Sequence, residues 1–224
     1  MNTIEWILIR ATGMSAVVLL TASMVLGLMM SLRMRPKRWP AVVTNDIHQF
    51  VTSLALWVTG AHLALLIVDE VSGIRLRDLV IPFMASSQPI AMGVGTIAVL
   101  ALVVVWVSSI NRAKIGHARW RSLHALAFVA YVMAMAHGIF GGTDTSQIWA
   151  WPVYAASIGI VGWLTMKRIQ ASRATQPHPH PHAPAVTRPA VVATRPALPP
   201  ITDALPVLEH RPVPQHGPRK PVRL

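Results

Sequence analysis

The sequence predicts an all-α integral membrane protein: a bundle of about five transmembrane helices, N-terminus outside and C-terminus inside, with a disordered Pro-rich cytoplasmic tail. Three observations carry this. Of 224 residues 53% are hydrophobic and only 12% are charged, against about a quarter charged in an average soluble domain. The apolar residues gather into runs of about 20, the length that crosses a bilayer. The basic residues sort by loop.

The runs are Ala11–Leu32, Ile47–Val68, Pro89–Ile110, Ser122–Phe140 and Ile148–Met166. The first loop holds Arg33, Arg35, Lys37 and Arg38, and the third holds Arg112, Lys114, Arg119 and Arg121, neither with an acid. Lys167, Arg168 and Arg173 follow the last run. The second loop mixes Asp69, Glu70 and Asp78 with Arg75 and Arg77, and the fourth carries only Asp144. Under the positive-inside rule that alternation sets the orientation for all five spans. Much of the formal charge of +12 therefore serves topology and anionic lipid, not nucleic acid.

Trp6, Trp39, Trp120, Trp149 and Trp151 fall at span ends, as in an interfacial aromatic belt. The N-terminal run is too long for a typical signal-peptide core and reads as a retained helix. The stretch Ile74–Ser87, interrupted by Pro82, is too short to span and reads as an external interfacial turn. Cysteine is absent, which excludes disulfides, thiolate metal sites and cysteine nucleophiles.

The membrane part is residues 1–170. Residues 171–224 contain 13 of the 18 prolines and five of the ten histidines and lack apolar periodicity, so they form the tail. Its Pro177-His178-Pro179-His180-Pro181-His182 run offers three imidazoles to a divalent metal, but reads first as solvated low-complexity chain. Gly93-Val94-Gly95-Thr96-Ile97-Ala98 matches a dinucleotide fingerprint in letters only, because it lies inside an apolar span with no strand before it.

Histidine inside a membrane helix is costly and points to function. His48 and His62 stand at i and i+14 on the second span, and His124 and His137 at i and i+13 on the fourth. Both spans run from inside to outside, so His48 and His124 share the inner depth and His62 and His137 the outer one. The two depths differ by about 20 Å. Packing or interhelical hydrogen bonding is the competing role for any one of them; four paired by helix and depth point to a bound group. A lone metal ion wants about four ligands, and no acid or cysteine stands near. A haem brings four nitrogens and needs two axial imidazoles, so two stacked b-type haems are the economical occupants. The i+14 spacing makes about 3.9 turns and keeps His48 and His62 on one face, but the i+13 spacing leaves His137 about 140° from His124 in an ideal helix. Overwinding, helix crossing or an altered helix near Gly138 has to correct that. Tyr131, on the His124 face between the two depths, is either a stepping stone for electrons or a core side chain.

Arg10-Ala11-Thr12-Gly13 at the first span, the two histidine spacings, Trp120-Arg121-Ser122-Leu123-His124 and Gly141-Gly142-Thr143-Asp144-Thr145 together resemble the ferric reductase-like transmembrane domain family. That family includes the membrane parts of NADPH oxidases and the haem subunit of methionine sulfoxide reductase systems. The resemblance spans residues 5–168. It implies a multi-pass cell-membrane protein in which His48 and His124 hold an inner haem b and His62 and His137 an outer one. Arg10 is placed for the outer propionates, with interfacial snorkelling as its other role. Arg121, with Arg119, is placed for the inner ones, with topology as the competing role.

The tail is too short for the flavin and nicotinamide domain that follows the last span in the oxidases. The resemblance thus implies a separate electron donor, a flavoprotein or membrane quinol, and an external acceptor. No general acid, base or nucleophile is evident, so the chain reads as an oxidoreductase component. A haem-free membrane scaffold or transport protein is the alternative of a different class.

Overall fold

The computed structural model describes residues 3–34 and 40–174. The chain divides into a unit over Met1–Pro177 and a second over His178–Leu224, and the second lies outside the described residues, as do Trp39 and the His-Pro run. The described residues are helical, with no strand among them.

Helix α1 runs Thr3–Ser31 and α2 Ala41–Val68. A five-residue helix α3, Leu76–Val80, precedes α4, Pro89–Ile110, and a short α5, Arg112–Ile115, follows it. The fourth predicted span is two helices, α6 His117–His124 and α7 Leu126–Gly141. The last helix, α8, covers Ala150–Ala174. Four segments are long and apolar enough to cross a membrane: α1, α2, α4 and the α6–α7 pair. The chain is therefore a multi-pass membrane protein, and its many exposed leucine, isoleucine, valine and tryptophan side chains suit lipid contact. The expected fifth span is a continuous helix, but Trp, Tyr, Pro and Gly dilute its apolar run and it is not among those four.

The α4 boundaries agree with the sequence reading because its ends are marked locally. Pro89 takes the first helical turn, where its missing N–H costs nothing, after Gln88 in the left-handed conformation; Asn111 ends the helix. By contrast α1 starts eight residues before Ala11, since Ile4, Trp6, Ile7, Leu8 and Ile9 continue its apolar run.

Helix α1 packs along α2, α4 along α7, and α1 also meets α7 and α8. The core is the α1–α7–α8 seam: Val17 and Leu28, then Tyr131 and Met135, then Tyr154, Val161 and Leu164. Without a hydrophobic drive between helices in lipid, hydrogen bonds and small residues fix this seam. The Tyr131 hydroxyl donates to the Ser157 carbonyl at 3.0 Å, and the Tyr154 hydroxyl donates to the Gly138 carbonyl at 3.1 Å. Tyr131 is thus a core side chain, tied to α8. Between α1 and α2 the Ser23 and Thr52 hydroxyls meet at 2.7 Å.

The stretch Ile74–Ser87 folds back on α4. Thr96 donates to the Asp78 carbonyl at 2.8 Å, and the Phe83 ring sits over Gly93, where any Cβ would overlap it. Phe83 holds φ at 67°, a left-handed value costing about 1–2 kcal/mol in a residue with a side chain. The seat over Gly93 offsets that cost.

Candidate functional site

The four span histidines fall at two levels. His62 on α2 and His137 on α7 line one cavity of about 410 Å³, with Gly13 and Met14 of α1, Gly95 of α4 and Tyr154 of α8 on its walls. His48 and His124 lie within electrostatic reach of each other at the other level and do not line this cavity. Helices α2 and α7 share no extended packing seam, so the space between the paired rings is bounded by α1 and α4 instead.

Glycines set how close those walls come. Gly13 and Gly27 on α1 stand at i and i+14, the spacing of His48 and His62 on the antiparallel α2. A Cβ at Gly13 would lie 3.1 Å from His62 Cε1, and one at Gly27 would lie 3.5 Å from His48 Cε1. At Gly95 it would lie 2.7 Å from His137 Nδ1, closer than real side chains come. The Gly-x-Gly of α4 is therefore a packing device: Gly93 seats Phe83 and Gly95 seats His137. Sequence reasoning sets this pair aside, although two glycines in an apolar span and a glycine spacing equal to the histidine spacing are legible signals.

Ring orientation follows from the backbone. His62 Nδ1–H donates to the Ile9 carbonyl at 3.1 Å, with Thr12 Oγ1 at 3.4 Å, and His137 Nδ1–H donates to the Ala91 carbonyl at 2.8 Å. A carbonyl can only accept, so in the neutral ring the proton sits on Nδ1 and the Nε2 lone pair is left for another partner. The other level differs. His48 Nδ1 and His124 Nδ1 are both buried without a hydrogen bond, although the Ser23 backbone lies beside the His48 ring.

The run from His124 to His137 is not one ideal helix but is interrupted at Ala125. The helix breaks there, and the Phe128 N–H bonds three residues back to the Ala125 carbonyl at 3.1 Å. Such a tightened turn overwinds the chain by about 60°, the sense that the i+13 spacing requires but less than half of its deficit of about 140°.

Arg10 lines the cavity with His62 and His137 and forms an ion pair with Asp144, its Nε donating at 2.6 Å, while its guanidinium lies 3.9 Å over Trp6. Asp144 is 6% exposed and stands in a 3-10 turn, Thr143–Ser146, after α7. The pair ties α1 to the turn between α7 and α8. Asp144→Ala leaves a part-buried guanidinium uncompensated, so unfolding of the detergent-solubilised protein is expected to ease by about 2–3 kcal/mol. A cycle with Arg10→Met should recover much of that loss. Arg119 and Arg121 are exposed on α6, the helix that ends at His124. Arg112, which the sequence reading does not single out, lies over the Trp120 ring that stacks on His124.

The residues at the His62–His137 level fit a haem. Two imidazoles are held in the tautomer that frees Nε2, a mainly apolar cavity of ligand-site size lies at them, and glycines flatten its walls. Among the described residues no three His, Asp or Glu side chains gather to hold a metal ion by themselves.

Fold and site together define a helical membrane protein with four histidines at two levels of its bundle. The profile of the family described as ferric reductase like transmembrane component matches residues 12–135, and the chain belongs to that family. The match includes His48, His62 and His124 and stops two residues short of His137. No curated protein and no solved structure matches the chain significantly. Membership indicates transmembrane electron transfer in general, and domains of this family generally bind haem.

Proposed function

We propose that the chain carries single electrons across the cell membrane through two b-type haems, from a cytoplasmic flavin donor on another protein to an external acceptor. His48 and His124 would hold the inner haem and His62 and His137 the outer one. In this reading α8 is the fifth span, the basic loops and the tail face the cytoplasm, and residues 1–170 form the haem domain. The observation that carries the proposal is the matched pair of Nδ1–H bonds at His62 and His137, which present two Nε2 atoms at one cavity.

When bound, haem supplies a one-electron carrier. The protein's residues do the rest. The Ile9 and Ala91 carbonyls orient the imidazoles and raise their basicity, as outer-shell partners of metal-bound histidine do. Met14, Val17, Leu20, Leu63 and Val99 keep water from the cavity wall. Arg10, already held by Asp144, is the cation available to propionates at the outer level.

The test is anaerobic mixing of purified, haem-loaded protein with a reduced flavoprotein in the absence of quinone. Reduction of the haem absorption bands is expected. Reduction by a quinol analogue alone, blocked by a quinone-site inhibitor, would instead make the chain a quinol-linked cytochrome b anchor.

A further inference from the structure

The four histidines are not held alike. His62 and His137 each donate Nδ1–H to a backbone carbonyl, Ile9 and Ala91. His48 has the Ser23 backbone beside its ring and Gly27 against Cε1. His124 Nδ1 is buried without a hydrogen bond. It has a ring instead. Trp120, one turn earlier on α6, stacks on His124 with centroids 5.0 Å apart and planes 28° from parallel. The indole is itself held from several sides. The Arg112 guanidinium lies 4.2 Å over it, its Nε1–H points to Ser109 Oγ on α4 at 3.4 Å, and the His117 ring lies 5.3 Å away. Arg112 also meets His117 Nδ1 at 3.3 Å.

An imidazole turns about two bonds, and a directional hydrogen bond at Nδ1 stops that rotation at the His62–His137 level. A stacked ring stops it by another means, since turning the imidazole out of plane gives up the aromatic contact. We propose that Trp120 is the positioning residue of His124, fixing the plane of its imidazole where His62 and His137 use a carbonyl. This rests on the reading of His124 as an axial ligand. The clamp by Arg112 and Ser109 explains why an indole, and not an aliphatic side chain, stands at this position: only such a ring stacks on an imidazole, takes a cation over its face and carries an N–H for a hydroxyl.

The test uses the full chain, purified with haem, read by low-temperature electron paramagnetic resonance of the oxidised protein and by a redox titration resolving two components. Trp120→Leu keeps an apolar side chain and removes the ring. It is expected to shift the low-spin signal and the midpoint of one component only, the one that His124→Ala abolishes. Trp120→Phe, which can still stack, is expected to restore both. Should the Leu variant not fold, Arg112→Gln, at an exposed position, is expected to move the same component.

Two native components in Trp120→Leu, an equal change in both, or no shift with Arg112→Gln in place of an unfolded Leu variant would overturn the proposal. If His124→Ala itself keeps both haems, the ligand reading fails, an outcome distinct from the failure of Trp120.

Discussion

His137→Ala is expected to empty the outer level of the bundle and leave the inner one intact. Haem content should fall from about two per chain to about one, with the bis-imidazole spectrum of the remainder unchanged. The substitution removes the Nε2 ligand atom and leaves the Ala91 carbonyl without its Nδ1–H donor, so His62 is left facing the cavity alone. Loss of a partner to a metal-bound histidine costs about 10–100-fold in affinity, and loss of the ligand itself should exceed that. His62→Ala should give the same phenotype, because the two rings line one cavity from different helices. Its own carbonyl partner, Ile9, lies on α1, so the second variant also tests whether α1 orients the site. Pyridine haemochrome content per chain, with spectra of the reduced and oxidised forms, measures both. A variant that keeps two haems would show that His62 and His137 do not hold one.

A single methyl group on α4 should come close to the same result. Gly95→Ala would place a Cβ 2.7 Å from His137 Nδ1, and that nitrogen already bonds to the Ala91 carbonyl at 2.8 Å. Either the ring turns and gives up the carbonyl, or α4 and α7 separate along their whole seam. Overpacking of this kind costs about 1–3 kcal/mol, and the hydrogen bond adds about 1 kcal/mol. The outer haem is expected to bind about 10–100-fold more weakly, with a lower unfolding temperature in detergent. Gly13→Ala, at 3.1 Å from His62 Cε1, should do the same more mildly. Gly60 is the control: a Cβ there meets nothing within 4 Å, so Gly60→Ala should leave haem content unchanged. Equal behaviour of Gly95→Ala and Gly60→Ala would remove the cradle from the account.

The legible parts of this protein are those written in local pattern. Pro89–Ile110 can be read to the residue because proline opens it and Asn111 closes it. The histidine levels are legible because the i+14 and i+13 spacings convert to depth along any helix. What the sequence hides depends on contacts between distant segments. Arg10 reads as a span boundary, yet its partner Asp144 comes from the turn after α7, and α1 continues beyond it to Thr3. The i+13 spacing conflicts with an ideal helix, and no residue at Ala125 announces the break that relieves part of that conflict. The carbonyls of Ile9 and Ala91 carry no side-chain signature at all, although they set the tautomer of both rings. Trp120 is legible as a belt residue and as part of the motif ending at His124, but not as a stacking partner, since its clamp needs α4, α5 and α6 together.

The central claim is that the two histidine levels each hold a haem. Haem stoichiometry of the purified wild-type chain, expressed with ample haem supply, tests it most directly. About two haem b per chain is the expected value, each with the spectrum of two axial imidazoles. A folded, monodisperse protein with no haem would contradict the account and leave the histidines as packing residues of a membrane scaffold or transporter.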